Sequence, residues 1–198
     1  MSLSTSDAEL IARARAGDDR AFGEIVERYE GAVAATAIGM LGDSDEADDV
    51  GQETFIRFHR AIGTYRGDSS LKTFLVHIAM NLSLNALRRR RRVFARFVSR
   101  DETEIDAPSP SLGPDGEVDA SELRAFIRAA VGRLNEKHRA VVVLRMFQEC
   151  STRETAAILG VPEGTVLSRL SRALQELERH LAPYVKQGAE APVPETAR

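Results

Sequence analysis

Residues 45–92 read DEADDVGQETFIRFHRAIGTYRGDSSLKTFLVHIAMNLSLNALRRRRR, and their pattern decides the fold. Asp45, Asp48, Asp49, Gln52 and Glu53 stand at i, i+3, i+4, i+7 and i+8, which on a helix is one acidic face. Phe55, Phe58 and Ile62 recur at i, i+3 and i+7 and give the same helix a face to bury. A polar turn at 64–70 follows, with Tyr65, Arg66 and Gly67 inside it. Leu71, Phe74, Leu75, Ile78 and Leu82 then form the apolar stripe of a second helix, which ends in the five arginines 88–92. An acidic helix face, a loop bearing an aromatic and a cationic helix end lie within one short unit. That order suggests one surface for a protein partner and another for nucleic acid.

Working outward, 198 residues suffice for one large domain or two small ones, and a hydrophobic content of 43% supports packed cores. No apolar run reaches the ~20 residues a bilayer span needs. The start, MSLSTSDAEL, lacks the basic-then-apolar pattern of a signal peptide, so a cytoplasmic protein without membrane insertion is expected. A single cysteine, Cys150, excludes an internal disulfide and any multi-thiolate zinc site. His59, His77, His138 and His180 show no ligand spacing, and no cofactor, metal or small-molecule substrate is expected. Cys150 has no concentrated positive field beside it and reads as a small apolar residue between helices.

The net charge of −3 argues against a free-standing DNA binder. Its distribution says more. Residues 88–100 hold seven arginines and no acid, whereas 101–119 hold seven acids and no base. The first sixty residues hold thirteen acids and six bases. Positive charge is local and the remainder repels DNA, so a larger partner would be needed to present the chain to it.

Helices are predicted throughout, with no alternating strand pattern: an all-α chain of two small domains. Ser6-Asp7-Ala8-Glu9 is a capping-box pattern opening a helix that runs to Ala16 and stops at Gly17. Helices at 19–41, 44–62 and 69–93 complete a four-helix unit within 1–100. The segment 101–119, DETEIDAPSPSLGPDGEVD, has three prolines, two glycines and few large apolar side chains, and is predicted to be a flexible linker. A second domain spans 120–182, with helices at 120–133, 135–148, 151–159 and 162–182. Ser151-Thr152-Arg153-Glu154 is a second capping box. Gly160 then makes a turn, Pro162 fits the first turn of the next helix, and together they give a helix-turn-helix signature. Val166, Leu170, Leu174, Leu177 and Leu181 form the predicted buried stripe of its second helix. Thr165, Ser168, Arg169 and Arg172 face away from it. Residues 183–198 are predicted to be a disordered tail.

The run DDVGQETFIRFHRAIGTYRGDSSLKTFLVHIAMN resembles the most characteristic segment of the extracytoplasmic-function (ECF) sigma factors of bacterial RNA polymerase. GVPEGTVLSRLSRAL resembles that family's pattern GxPxGTVxSRLxRAR, so the resemblance covers nearly the whole chain. It implies a factor that binds core RNA polymerase and directs promoter-specific initiation without catalysing chemistry. The first domain would dock on the clamp of the largest subunit through Asp48, Asp49, Gln52, Glu53 and Phe55. It would also recognise and melt the minus-ten element through Tyr65, Arg66, Ser69, Lys72, Asn81, Asn85, Arg88, Arg89, Arg91 and Arg92. Capturing a flipped base needs a pocket that replaces lost stacking, for which Tyr65 could stack and Asn81 could read an edge. The arginines would grip phosphates and make binding salt-dependent. The second domain, also meeting the flap of the second-largest subunit, would read the minus-thirty-five element through Thr152, Arg153, Thr165, Ser168, Arg169, Ser171 and Arg172. An anti-sigma factor is the expected regulatory partner.

The chain departs from the family pattern at several positions. Gly51 replaces a branched apolar residue, Phe74 a tryptophan, and Leu167, Ser171 and Leu174 replace residues that are often basic. Two other readings of the residues compete. A stand-alone helix-turn-helix regulator with an N-terminal effector or dimerisation domain would need tight DNA binding by the free chain, which the acidic first half disfavours. A carboxylate-metal enzyme in the four-helix unit would need Glu-x-x-His pairs, and none occurs there.

Overall fold

Capping chemistry sets where the helices of the first domain begin and end. The computed structural model describes residues 6–98 and 120–189; the predicted linker 101–119 lies outside them. Helix α1 (Asp7–Arg15) starts at Ser6, whose hydroxyl accepts the Glu9 N–H at 3.3 Å. Helix α2 (Asp19–Leu41) starts at Asp18, whose carboxylate accepts the N–H groups of Arg20 and Ala21 at 3.0 and 3.1 Å. Gly42, at φ +79°, ends it in a backbone region that an L side chain rarely adopts. Helix α3 (Asp45–Ala61) closes in a 3-10 turn at Ile62–Thr64, and α4 (Leu71–Val98) continues past the end predicted at 93.

The four helices pack around α2, which touches the other three. One core gathers Leu10, Ile25, Phe58, Leu71 and Leu75, all nearly inaccessible to solvent. On α3 the buried face is Ala47, Val50, Thr54 and Phe58; Ile62, just past the helix end, is buried in the same core as Phe58, as predicted, and Phe55 is half-buried at its edge. The buried hydroxyls of Thr36, Thr54 and Ser83 each donate to the carbonyl four residues earlier, at 2.7–2.8 Å, so none is left without a partner.

The second domain comprises α5 (Ala120–Arg133), α6 (Glu136–Val142), α7 (Thr152–Leu159) and α8 (Glu163–Ala189). The helix predicted at 135–148 gives way after Val142 to a π-helical turn at Val143–Phe147, where the Gln148 N–H bonds back to the Val143 carbonyl at 3.0 Å. The capping box at α7 is complete: Ser151 Oγ accepts the Glu154 N–H at 3.1 Å, and Glu154 Oε2 accepts the Ser151 N–H at 2.8 Å. Gly160 takes the left-handed conformation (φ +62°) that the turn requires. Pro162 stands just before α8, not inside its first turn, and its carbonyl accepts the N–H groups of Thr165 and Val166.

On α8 the inward stripe is Val166 and Ala173, with Leu170 and Leu177 half-buried; Leu174, predicted to be inside, is 44% exposed. Leucines at 167, 170, 174, 177 and 181 allow two overlapping stripes, and packing on α6 and α7 selects the one through Val166. The helix runs through Pro183 to Ala189, beyond the end predicted at 182. The rest of the predicted tail, 190–198, lies outside the described residues.

The domains are not separate bodies. A single apolar cluster joins Met40, Val76 and Met80 of the first to Val131, Val143 and Leu144 of the second. Helix α4 therefore carries two buried stripes. Leu71, Leu75 and Ala79 belong to the first core, while Val76, Met80 and Leu87 belong to the shared cluster. Among the described residues there is no strand.

Candidate partner-docking and nucleic-acid surfaces

Acids in the first turn of α3 favour the positive end of its dipole, and the continuing acidic face points to solvent. Asp48, Asp49 and Gln52 are exposed, and Glu53 is ion-paired with Arg57 at 2.8 Å, one turn on. Phe55 faces the core instead. The apolar member of the outer face is Ile56, 45% exposed, at i+7 from Asp49, i+4 from Gln52 and i+3 from Glu53. That spacing is present in the sequence, beside the predicted Phe55.

An open groove of about 630 Å³ separates α3 from the second half of α4. Asp49 and Glu53 lie on one wall, and Asn85, Arg89, Arg92 and Arg96 on the other. The α4 residues proposed for nucleic acid thus spread along the helix from its first turn to Arg92. Lys72 and Arg89 are seventeen residues apart, about 25 Å at ~1.5 Å per residue. Lys72 lies beside the aromatic loop, and Arg89 shares the groove with the docking acids.

The arginine run is largely engaged within the protein. Arg89 reaches Glu46 Oε1 at 2.5 Å, and Arg90 pairs with the other oxygen of the same carboxylate. Arg91 pairs with Glu136 of the second domain at 2.9 Å, and Arg88 donates to Asn85 Oδ1 at 3.2 Å. Arg92 donates to the Arg88 carbonyl at 3.4 Å. Burial alone would raise the Glu46 carboxyl, but the Arg89 hydrogen bond and the Arg90 charge outweigh it and hold the group below the usual carboxylate range. Glu46 thereby ties the start of α3 to α4, a role invisible in a sequence where the partners stand forty-three positions apart.

The loop after α3 is a built element. Tyr65 packs edge-on against Phe74 at 5.0 Å and Phe58 at 6.4 Å between ring centroids, and its hydroxyl donates to the Ser69 carbonyl at 2.6 Å. From α1, Arg15 donates to the Ile62 carbonyl at 2.8 Å and to the Tyr65 carbonyl. Phe74 fills the tryptophan position of the family pattern within this aromatic group. Arg66 and Asn81 are exposed, Ser69 is half-buried, and the Lys72 ammonium donates to the Gln148 carbonyl of the second domain at 3.0 Å. Tyr65 is thus held by its ring contacts and its hydroxyl, and of the residues predicted around this loop Arg66 and Asn81 are exposed.

In the helix-turn-helix, Arg153, Ser168, Ser171 and Arg172 are exposed, and Thr152, Thr165 and Arg169 are half-buried. Ser168 Oγ donates to the Thr165 carbonyl at 3.1 Å. Leu167 is 55% exposed beside them. Thr165, Ser168, Arg169, Ser171 and Arg172 occupy the first turns of α8, the part of a recognition helix that reaches a major groove, while Thr152 and Arg153 open α7. Cys150 is 5% exposed, and burial pushes its thiol pKa up. Among the described residues, no three His, Cys, Asp or Glu side chains gather as a metal ion would need, and no helix is long and apolar enough to cross a membrane.

Residues 25–93 match the Sigma-70 region 2 family, and residues 127–177 match the Sigma-70 region 4 family. The chain is 32% identical over 186 residues to the RNA polymerase sigma-H factor of Pseudomonas aeruginosa, covering 91% of this chain and 96% of the relative. It is 33% identical over 195 residues to the ECF RNA polymerase sigma-E factor of Escherichia coli K12, covering 94% and 100%. Among solved structures, the sigma factor RpoE of Bartonella quintana, crystallised with the anti-sigma factor NepR, is similar with a TM-score of 0.65 and 25% identity. That likeness covers 81% of this chain and 96% of the other.

Proposed function

This chain belongs to the ECF sigma factors and directs promoter-specific transcription initiation by core RNA polymerase; within that role we propose how its surfaces divide the work. The first domain docks on the clamp of the largest polymerase subunit through Asp48, Asp49, Gln52 and Glu53, with Ile56 as the apolar centre and Phe55 as a buttress from behind. The observation that carries this assignment is the solvent-facing α3 surface, where an exposed isoleucine sits among carboxylates. An apolar centre ringed by charge is the composition of a protein-binding patch.

The loop and the start of α4 receive the minus-ten element. Arg66 and Lys72 approach the backbone and Asn81 reads a base edge, while Tyr65 and Ser69 shape the pocket. Of the arginine run, Arg88 and Arg92 make no ion pair with a carboxylate in the described structure, which supports assigning phosphate contact to them. Arg89 and Arg91 would reach phosphate only by leaving their carboxylates. The second domain meets the minus-thirty-five element through the first turns of α8, with Thr152 and Arg153 of α7 on the flanking backbone. It also contacts the flap of the second-largest subunit. Exposed Leu167 and Ser171 are uncharged, so this half leans on shape and apolar contact, including thymine methyl groups.

The protein catalyses nothing itself, acts in the cytoplasm, and is restrained by an anti-sigma factor, as the Bartonella relative's complex suggests. Two variants separate the roles in a fork-junction binding assay with core polymerase. Asp49→Arg should weaken core binding at least tenfold with the fold intact. Asn81→Ala should leave core binding unchanged and weaken capture of minus-ten single strand. Loss of both functions in both variants would contradict the division.

A further inference from the structure

The arginines near the end of α4 are not equivalent, and a single carboxylate divides them. Asn85, Arg89, Arg92 and Arg96 stand at i, i+4, i+7 and i+11, which sets all four on the wall of α4 that lines the groove. Three of the four are arginines. Arg89 is ion-paired with Glu46, whereas among the described residues no carboxylate pairs with Arg92 or Arg96. Arg92 donates to the Arg88 carbonyl at 3.4 Å, and Arg96 is exposed. Arg96 is thus a further cation one turn beyond the run 88–92, on the same wall.

Glu46 is built to hold Arg89. Its side chain is 19% exposed, and each carboxylate oxygen has its own arginine: Oε1 takes Arg89 at 2.5 Å and Oε2 takes Arg90. Arg90 lies outside the groove lining and also donates to the Leu41 carbonyl at 3.5 Å, at the end of α2. Swinging Arg89 out to a phosphate would strip one oxygen of a largely buried carboxylate of its partner, and an acceptor left unmet there is strongly disfavoured. It would also bring the phosphate toward an uncompensated negative charge. Arg92 and Arg96 meet neither obstacle.

We propose that Glu46 is a positioning residue for promoter DNA: it keeps Arg89 on the protein, so that the groove wall of α4 grips phosphate through Arg92 and Arg96. This deepens the phosphate-contact role given above to the arginine run and rests on it. The consequence is for specificity. A phosphate contact adds affinity for every sequence alike, whereas contacts to base edges discriminate. By taking one arginine out of the grip, Glu46 lowers sequence-independent binding by the assembled polymerase and leaves the sequence-reading groups a larger share of the affinity.

The test is the salt dependence of fork-junction DNA binding by the full chain assembled with core polymerase. Phosphate contacts release counterions, so each adds about 0.7–0.9 to the slope of log affinity against log salt, or about threefold in affinity across a fourfold salt change. Glu46→Gln keeps the shape of the side chain and drops its charge, and should steepen the dependence by about one such contact. Arg89→Ala should change the slope little in the wild-type background and reverse the steepening in the Glu46→Gln background. A side chain that only braced α3 against α4 would lower the melting temperature without producing this cycle. An unchanged slope in folded Glu46→Gln overturns the proposal, and so does an Arg89→Ala effect of equal size in both backgrounds. If circular dichroism shows Glu46→Gln to be unfolded, Glu46→Asp replaces it: its shorter side chain withdraws the carboxylate from Arg89 and should steepen the slope in the same direction, and an unchanged slope there overturns the proposal equally. Arg92→Ala combined with Arg96→Ala reads the underlying assignment separately and should flatten the slope by about two contacts. No flattening overturns the phosphate role of this wall and the proposal with it. Flattening by that pair beside an unchanged Glu46→Gln leaves the phosphate role standing and overturns the part given to Glu46.

Discussion

Tyr65 stands where a base-stacking aromatic is expected, yet the structure employs it as a packing element, and the two roles respond differently to substitution. Its ring makes edge contacts with Phe74 and Phe58, and its hydroxyl bonds to the Ser69 carbonyl. Each aromatic pair contributes about 0.5–1.5 kcal/mol, and the hydrogen bond about 0.5–1.5 kcal/mol. Tyr65→Phe keeps the rings and loses the hydrogen bond, so it should lower stability by about 1 kcal/mol. Tyr65→Ala loses all three contacts, about 3 kcal/mol together, against a total of roughly 5–15 kcal/mol for a folded domain. Urea unfolding followed by far-ultraviolet circular dichroism measures both. Under conditions where each is folded, Tyr65→Phe should retain minus-ten binding. The reasoning is refuted if Tyr65→Ala is as stable as wild type within about 0.5 kcal/mol and nevertheless loses minus-ten DNA, because the ring would then be free to stack on a base.

Two further substitutions test the frame around the docking face. Gly51 sits in α3 with nothing within 4 Å of an added Cβ, so the glycine answers no packing need; Gly51→Ala should stabilise by about 0.5–1 kcal/mol, raise the melting temperature by about 2–4 °C per kcal/mol, and leave core binding unchanged. Glu46 is held below the usual carboxylate range in the folded state, so the unfolded chain binds more protons in acid. Its contribution is present above the ordinary carboxylate pKa and is lost as pH falls through the depressed one. Glu46→Gln should cost no more than about 1 kcal/mol at neutral pH, since its arginine partners are largely exposed, and should flatten that acid limb in a pH series of urea midpoints.

Local chemistry made most of the secondary structure legible. Helix α2 runs over Asp19–Leu41 as predicted, capped by Asp18 and ended by Gly42, and the helix-turn-helix follows from Ser151, Glu154 and Gly160. What escaped the sequence is non-local. Nothing near Val76 or Met80 announces that a second stripe of α4 meets another domain, and nothing near Gly39 announces Val143. Nothing near the run 88–92 announces that Glu46 and Glu136 meet it from distant positions. Leu174 is exposed, not inside, because a leucine-rich helix supports more than one apolar stripe and only the packing partner chooses. The surfaces were legible as regions and less so as side chains: that Ile56 is exposed while Phe55 turns to the core, and that Tyr65 is anchored, are differences of one helix position or one hydrogen bond.

The most direct test of the sigma-factor role of these surfaces is a titration of the fluorescently labelled chain with core RNA polymerase, with and without promoter fork DNA, at two salt concentrations. Tight binding to core, with DNA engaged only by the complex, is the expected result. Failure to bind core, together with strong salt-sensitive DNA binding by the free chain, would contradict it.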